Sequence, residues 1–190
     1  MTAPTTTDTR STESTTWTID PAHTAVEFSV RHMMISTVKG RFGDVAGTLA
    51  IDPARPDRSS ASIDIAAASI DTRTGQRDAH LRSPDFFDVE RFPAITFRSR
   101  RVEGAWARPG DVFRVVGDLT IRDVTREVTL DATFEGTGRD PWGGERTSFG
   151  AETTIDRRDF GLGWNQALEA GGVLVGNDIR IRLEVQAVRQ

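Results

Sequence analysis

The sequence predicts an all-β fold, an antiparallel barrel or sandwich of about eight strands with one or two short helical segments. After the first sixteen residues, apolar and polar residues alternate through most of the chain, as in strands with one buried and one wet face. Turns rich in proline and glycine separate these stretches. The last alternating stretch, 173–188, is long enough to favour curling of a small sheet into a barrel.

Eight segments carry the strand pattern. In one of the clearest, Val26, Phe28 and Val30 share a face, and charged or hydroxyl residues occupy the opposite face. Phe97, Leu119 and Ile121 lie on apolar faces in the same way. The predicted strands are 24–32, 45–51, 62–67, 95–101, 111–121, 123–135, 149–155 and 173–188.

Composition excludes several classes of function. The chain has no cysteine, so disulfides, thiol nucleophiles and zinc-thiolate sites are excluded. Its net charge of -4 and pI of about 5.4 argue against nucleic acid as a partner, because such binding depends on neutralising phosphates. The 190 residues suit a single domain with a sizeable core.

The first sixteen residues are rich in threonine and contain no apolar run, which predicts a disordered tail at 1–16 and a folded domain at 17–190. The tail lacks the apolar segment of a secretory signal, and no later stretch reaches the ~20 apolar residues of a transmembrane helix. We therefore expect a cytoplasmic protein with no transmembrane segment.

The segment 77–88 interrupts the alternation with two arginines, three aspartates, a histidine and the pair Phe86-Phe87. Such an insert in an all-β chain is where a site is expected. The alternative is a solvated crossover whose charges pair with each other and whose phenylalanines close one end of the core. Ser83 followed by Pro84 predicts the start of a short helix here, with serine as N-cap and proline in the first turn.

Catalytic and metal-binding patterns are weak in this chain. His23, His32 and His80 show no spacing typical of metal ligands, so we expect neither a metal site nor a cofactor. A serine hydrolase would be expected to show a Gly-x-Ser-x-Gly motif, which is absent. Asp85 and Asp88 are spaced to share a helix face, but acidic residues in a first helical turn have a simpler structural explanation in the helix dipole.

Several motifs resemble those of the YceI-like family, in order and across 17–187. The most specific is Arg77-Asp78-Ala79-His80-Leu81, followed by Asp85-Phe86-Phe87-Asp88-Val89 and Phe92-Pro93. The others are Trp17-Thr18-Ile19-Asp20-Pro21-Ala22-His23, Phe28-Ser29-Val30-Arg31-His32, Gly40-Arg41-Phe42, Ala67-Ala68-Ser69-Ile70-Asp71-Thr72, Gly117-Asp118-Leu119-Thr120-Ile121, Val128-Thr129-Leu130 and Arg158-Asp159-Phe160-Gly161.

This resemblance implies an extended, lipocalin-like antiparallel barrel whose lumen holds a long apolar lipid, typically a polyisoprenoid or polyprenyl quinone. It also implies a homodimer. The lumen and its lid are then expected at the apolar positions Phe28, Val30, Phe86, Phe87, Phe97, Leu119 and Ile121. Arg77 and His80 are the expected head-group contacts, because arginine suits a phosphate or carbonyl and histidine can donate or accept a hydrogen bond.

The function expected from these features is non-enzymatic binding, storage or transport of an isoprenoid-type lipid. Two alternatives stay open at this point. Arg77, Asp78 and His80 could serve as acid and base groups of an enzyme that modifies a lipid or quinone. The barrel could instead be filled with side chains and serve as an interaction module, since periodicity does not distinguish a filled core from a cavity.

Overall fold

A computed structural model describes residues 14–169 and 171–190, in which eleven β-strands surround two hydrophobic clusters and a single α-helix, α1 (Gly75–Arg82), lies near one end. In chain order the strands are β1 (Thr15–Ile19), β2 (Ala25–His32), β3 (Ser36–Phe42), β4 (Val45–Ile51), β5 (Ser60–Ala66), β6 (Ile70–Asp71), β7 (Ala94–Glu103), β8 (Val112–Ile121), β9 (Val124–Arg139), β10 (Glu145–Asp156) and β11 (Val175–Arg189).

The strands form a closed antiparallel barrel, which confirms the predicted fold class. Eight of them follow one another around it in the order β1, β4, β5, β7, β8, β9, β10 and β11, and β11 pairs back with β1. Closure leaves these strands without the unpaired edges that promote aggregation. Strands β2, β3 and β6 extend the sheet from β11.

Consecutive short strands act as single bent strands. Both β1 and β2 pair with β11, Trp17 opposite Arg189 and Val26 opposite Leu183. The bend between them is a 3-10 turn, Pro21–His23, whose Ala22 N–H donates to the Asp20 side chain as an N-cap. In the same way β3 continues into β4, and both pair with the chain that runs from β5 to β6. The barrel is therefore an up-and-down meander of eight long strands.

One end of this meander carries most of the irregular chain. The β2–β3 hairpin, the connection from β6 to β7 that contains α1, the β8–β9 turn and the connection from β10 to β11 all lie at that end. We call residues 72–93 together with 157–169 the cap. Among the described helices, none is long and apolar enough to cross a bilayer.

The sequence pattern missed strands β1, β3 and β6, the last of which has only two residues. Strand β3 was missed because its inward face carries only Val38, Gly40 and Phe42. With polar residues between them, the segment shows no clear apolar alternation. A Cβ atom on Gly40 would lie 2.3 Å from Cζ of Phe28. The glycine is needed there because the neighbouring phenylalanine ring covers the space, so Gly40 and Phe28 together fill one inward position.

One predicted element boundary was wrong. The helix ends at Arg82 with Ser83 as its C-cap, instead of beginning at Ser83, because a residue before proline is driven out of the helical region, and Ser83 has ψ 169°. Strand β1 begins at Thr15, which pairs with Ile51, and the Thr15 hydroxyl accepts a hydrogen bond from the Trp17 indole at 2.8 Å. Residues 1–13 of the predicted tail lie outside the described residues.

An ion-pair network fixes the bend between β1 and β2 at the end of the barrel opposite the cap. Arg146 Nη1 donates to Asp20 Oδ2 at 2.6 Å, and its Nε donates to Asp140 Oδ2 at 2.9 Å. The hydrogen bond from Arg146, with a further one from His23, lowers the pKa of Asp20 from its ordinary 3.8 to about 2. The charged form of Asp20 is therefore favoured by folding.

We expect the stability contributed by Asp20 to disappear in acid. Because its folded pKa is depressed, the contribution is present above about pH 4 and is lost as the pH falls towards about 2; its size is at most about 2 kcal/mol. Urea unfolding of wild type and Asp20→Asn across this range measures it. The gap in unfolding free energy should close towards pH 2, and a gap independent of pH would contradict the assignment.

Candidate lipid-binding lumen and its cap

The cap half of the barrel contains an apolar cavity of about 150 Å³. Inward-facing residues of β2, β3, β5, β7, β8, β9, β10 and β11 form its side walls, and cap residues cover part of it. The surface that faces the cavity is apolar throughout among the described residues, and Glu27, Thr153 and Arg157 border it without adding polar surface. A cavity of this kind stays free of ordered water and favours an apolar occupant.

A second apolar compartment of about 90 Å³ lies in the opposite half of the barrel. Trp106 stacks on Phe113 with ring centroids 4.2 Å apart and helps to close that side. The two compartments share lining residues, and rotamer changes of these side chains could join them into one tunnel. The residues that line both compartments are Ile63, Phe97, Leu130 and Leu183.

The structure places all seven sequence-predicted lumen and lid residues on the wall of the cap-side cavity. Five of them come from strands: Phe28, Val30, Phe97, Leu119 and Ile121. Phe86 and Phe87 come from the cap, with Leu81 of α1 beside them. The Phe87 ring packs edge-on against Phe42, with centroids 5.8 Å apart, and so joins the cap to the barrel wall.

An aromatic cluster joins the two segments of the cap. The Trp164 ring lies 4.6 Å from the His80 ring and 5.3 Å from the Phe86 ring, measured between centroids. His80 Nε2 is 2.9 Å from Asp85 Oδ2, which fixes the orientation of the imidazole. Phe86 lines the cavity and Trp164 packs on Phe86. A ligand that entered the cavity through the cap would therefore have to separate these rings or pass beside them.

Arg77 and Asp78 fasten α1 to the end of β6 through Thr72. Arg77 Nε donates to Thr72 Oγ1 at 2.7 Å and Nη2 donates to Thr72 O at 2.8 Å. The buried Asp78 carboxylate accepts from Thr72 N at 2.9 Å and from Thr72 Oγ1 at 2.5 Å. Neither Arg77 nor Asp78 lines the cavity, and His80 lies beside it only through its contact with Phe86.

Arg157 holds the second cap segment and was missed by the sequence analysis. Its side chain is buried and its residue only 3% exposed. The guanidinium donates to the carbonyl oxygens of Leu162 at 2.5 Å, Trp164 at 2.8 Å and Gly176 at 2.9 Å. Burial lowers its pKa from the ordinary value. The adjacent Arg158 is exposed and pairs with Asp156, so two neighbouring arginines have opposite environments.

Other hollows and clusters have different chemistry. A polar groove of about 1130 Å³ crosses the outward faces of β8 to β11. It is open to solvent and bordered by charges of both signs, such as Arg182 and Glu184, which pair at 3.3 Å. In the described part of the chain, no group of three or more His, Cys, Asp or Glu residues could hold a metal ion. The lumen is therefore the candidate site.

Solved structures share this architecture. BcnA from Burkholderia cenocepacia superposes with a TM-score of 0.76 at 24% identity, covering 88% of this chain and 98% of that one. A YceI protein of Campylobacter jejuni gives 0.69 at 29% identity over 84% and 90% of the two chains. A polyisoprenoid-binding domain from Saccharophagus degradans gives 0.67 at 13% identity, covering 92% of this chain and 98% of that one.

Sequence comparison gives the family. A UPF0312 protein of Pseudomonas putida is 41% identical over 140 residues, 74% of this chain and 71% of that protein. A UPF0312 protein of Staphylococcus aureus is 36% identical over 173 residues, 90% of this chain and 96% of that protein. The family model described as the YceI-like domain matches residues 17–187. The resemblance seen in the motifs is thus confirmed, and the chain belongs to the YceI-like family.

Proposed function

We propose that this protein is a non-enzymatic carrier or store of a long isoprenoid-type lipid, a polyisoprenoid or a polyprenyl quinone, held in the barrel lumen. The observation that carries the proposal is the cavity of about 150 Å³ inside the barrel, whose surface is entirely apolar. A core needs no such space, because protein interiors are normally packed as densely as organic crystals. Apolar residues around an unfilled volume favour an apolar guest.

The volume of the lumen limits the length of lipid that it can hold without rearrangement. An apolar cavity of about 150 Å³ accommodates a molecule the size of benzene. A chain of several isoprene units therefore needs both compartments, opened into one tunnel by movement of the four side chains that line both. Binding of a long lipid should be slow and coupled to this repacking.

The relatives support the same reading. The Saccharophagus degradans domain is described as polyisoprenoid-binding, and this chain shares its fold. A shared fold alone does not determine function, so the support lies in the combination of that fold with an apolar lumen. Transfer of a prenyl chain from bilayer to lumen exchanges one apolar environment for another, and the small net free energy suits reversible carriage.

The geometry favours binding over the enzymatic alternative. Acid–base catalysis requires the reacting groups to reach a common substrate atom. Arg77 and Asp78 are instead hydrogen-bonded to Thr72, and His80 is paired with Asp85. An enzyme would give turnover with a pH dependence, measured by incubating the protein with a polyprenyl quinone and analysing the products by mass spectrometry. Turnover would contradict the carrier proposal.

Solvent extraction of protein purified from its native host tests the proposal directly. Mass spectrometry of the extract should reveal an isoprenoid lipid in near-stoichiometric amount. The matched control is protein unfolded and washed before extraction, which should carry none. If the native protein yields no lipid and also fails to take up an added prenol, the barrel serves as an interaction module instead.

Arg77 and His80 remain our proposed contacts for the lipid head group at the outer side of the cap. The Arg77→Ala variant should bind a prenyl phosphate or quinone more weakly by ~1.5–3 kcal/mol, the range for a charge-assisted hydrogen bond. Its affinity for a bare hydrocarbon of equal length should barely change. Titration of both ligands by native mass spectrometry separates the roles: equal losses would mean that Arg77 only fastens α1 to Thr72.

Two further properties are proposed. From the family resemblance we propose that the protein is a homodimer, which light scattering coupled to size-exclusion chromatography measures. We also propose a cytoplasmic location, which fractionation of the native host tests. A monomer at all concentrations, or protein found in another compartment, would contradict the respective proposal.

A further inference from the structure

The hairpin tip between β2 and β3 exposes three consecutive apolar side chains. Met33 is 42% exposed, Met34 56% and Ile35 78%. Runs of exposed apolar residues lower solubility and are avoided unless they serve a function. We call residues Met33, Met34 and Ile35 the hairpin tip.

The backbone of the hairpin tip adopts a conformation that these residues do not favour. Met33 has φ 51° and Met34 has φ 61°, and Ile35 N donates to His32 O at 3.2 Å to close the turn. Hairpin turns with two positive φ values strongly favour asparagine and glycine. Large apolar side chains at both positions are therefore unusual for an exposed turn. Residues held in unfavourable backbone conformations cluster at functional sites.

Three cations lie near the hairpin tip, although the whole chain has a net charge of -4. Arg31 Nη2 donates to Met34 O at 2.7 Å, and Lys39 and Arg180 flank Ser29 in the next row of the sheet. These three cations form no ion pair within the part of the chain that the structure describes. Five basic side chains and three acidic ones, Glu27, Asp71 and Glu152, line the groove that contains Lys39 and Arg180, which leaves an excess of positive charge beside the hairpin.

The hairpin tip lies at the same end of the barrel as the cap and the lipid cavity. Val30, three residues before Met33, lines that cavity, and Val175, which pairs with His32, lines it as well. At about 3.3 Å per residue, the hairpin tip stands roughly 10 Å from Val30 along the strand. A surface to which the tip binds would therefore face the cap.

We propose that the hairpin tip docks this protein on a lipid bilayer that contains anionic lipids. Met33, Met34 and Ile35 would enter the interface between head groups and acyl chains, and Arg31, Lys39 and Arg180 would contact the anionic head groups. A stable protein partner would bury about 800 Å² on each side, far more than three side chains supply. Docking would hold the cap against the bilayer, so the inference rests in part on the proposed lipid-carrying function.

The absence of cysteine allows a direct test of insertion. The Ile35→Cys variant, labelled with an environment-sensitive fluorophore, is mixed with vesicles of phosphatidylcholine containing about one third phosphatidylglycerol. Its emission should shift to shorter wavelength. Val112 offers a matched control, because it is 74% exposed at the opposite end of the barrel. Labelled Val112→Cys should show no shift, and equal shifts at both positions would overturn the proposal.

Vesicle affinity tests the two parts of the surface separately. Replacing Met34 and Ile35 together by serine should weaken binding about tenfold or more, because apolar area no longer enters the bilayer. Replacing Lys39 and Arg180 together by glutamine should weaken binding to the anionic vesicles roughly tenfold and leave the weak binding to pure phosphatidylcholine unchanged. Unaltered affinity in the serine variant would overturn the proposal.

Lipid content distinguishes failure of docking from failure of the carrier function. The serine variant should take up a prenol dispersed in detergent as fully as wild type, measured by native mass spectrometry, but should extract it from vesicles at least about tenfold more slowly. If the wild-type protein does not bind vesicles, or self-associates through the hairpin tip, the docking proposal is wrong and the lipid-binding proposal is unaffected. If the wild-type protein fails to take up the prenol from detergent, the carrier proposal is wrong instead.

Discussion

The Arg157→Leu variant is expected to lose about 3–5 kcal/mol of unfolding free energy, enough to threaten folding at physiological temperature. The leucine fills part of the volume but leaves the carbonyl groups of Leu162, Trp164 and Gly176 buried without donors. Each buried acceptor without a partner costs about 1–3 kcal/mol. The cap segment and the start of β11 should loosen first, which hydrogen exchange of residues 160–169 and 174–178 reports alongside urea unfolding.

The neighbouring arginine is the matched control. Arg158 is exposed and its side chain bonds to Asp156, so Arg158→Ala should cost less than about 1 kcal/mol. Arg157→Lys should retain little of the lost stability, because an ammonium group cannot reach carbonyls that a planar guanidinium contacts from three nitrogens. If Arg157→Leu were as mild as Arg158→Ala, the cap would be held by its aromatic contacts instead.

Local periodicity predicted the barrel wall well. Val26, Phe28 and Val30 alternate with polar neighbours, and alternation of side chains across a strand is a property of the backbone alone. Where the inward face carries small residues the pattern fades, as at Gly40 in β3, because the apolar volume comes from Phe28 on another strand. Such strands are specified by tertiary packing, which a single sequence does not display.

The cap was predicted less well, since its structure depends on contacts between distant segments. The motif around Ser83 and Pro84 looks like a helix start, yet Thr72 binds Asp78 and thereby places the helix before that point. Nothing in the pair Arg157-Arg158 indicates which arginine is buried. The aromatic cluster likewise joins His80 and Phe86 to Trp164, which lies about eighty residues later in the chain.

A tryptophan side chain introduced into the lumen should displace the bound lipid. Val128 lines the cap-side cavity, and the next residue, Thr129, faces solvent on the same strand, β9. In Val128→Trp the indole should occupy much of the cavity and displace part of a bound chain, whereas Thr129→Trp adds the same side chain outside the barrel. Each methylene excluded costs about 0.8 kcal/mol, so excluding two or three should weaken prenol binding roughly ten- to sixtyfold.

Titration of a labelled short prenol into each variant measures this loss, and thermal unfolding shows whether both remain folded. Because the cavity of about 150 Å³ can absorb the added volume, Val128→Trp should not suffer the full 1–3 kcal/mol that overpacking typically costs. A destabilised Val128→Trp that still binds prenol as wild type does would show that the lipid lies elsewhere. A stable variant without lipid, beside a Thr129→Trp protein with normal lipid, would place the ligand inside the barrel, because the two proteins differ only in which face of β9 carries the ring.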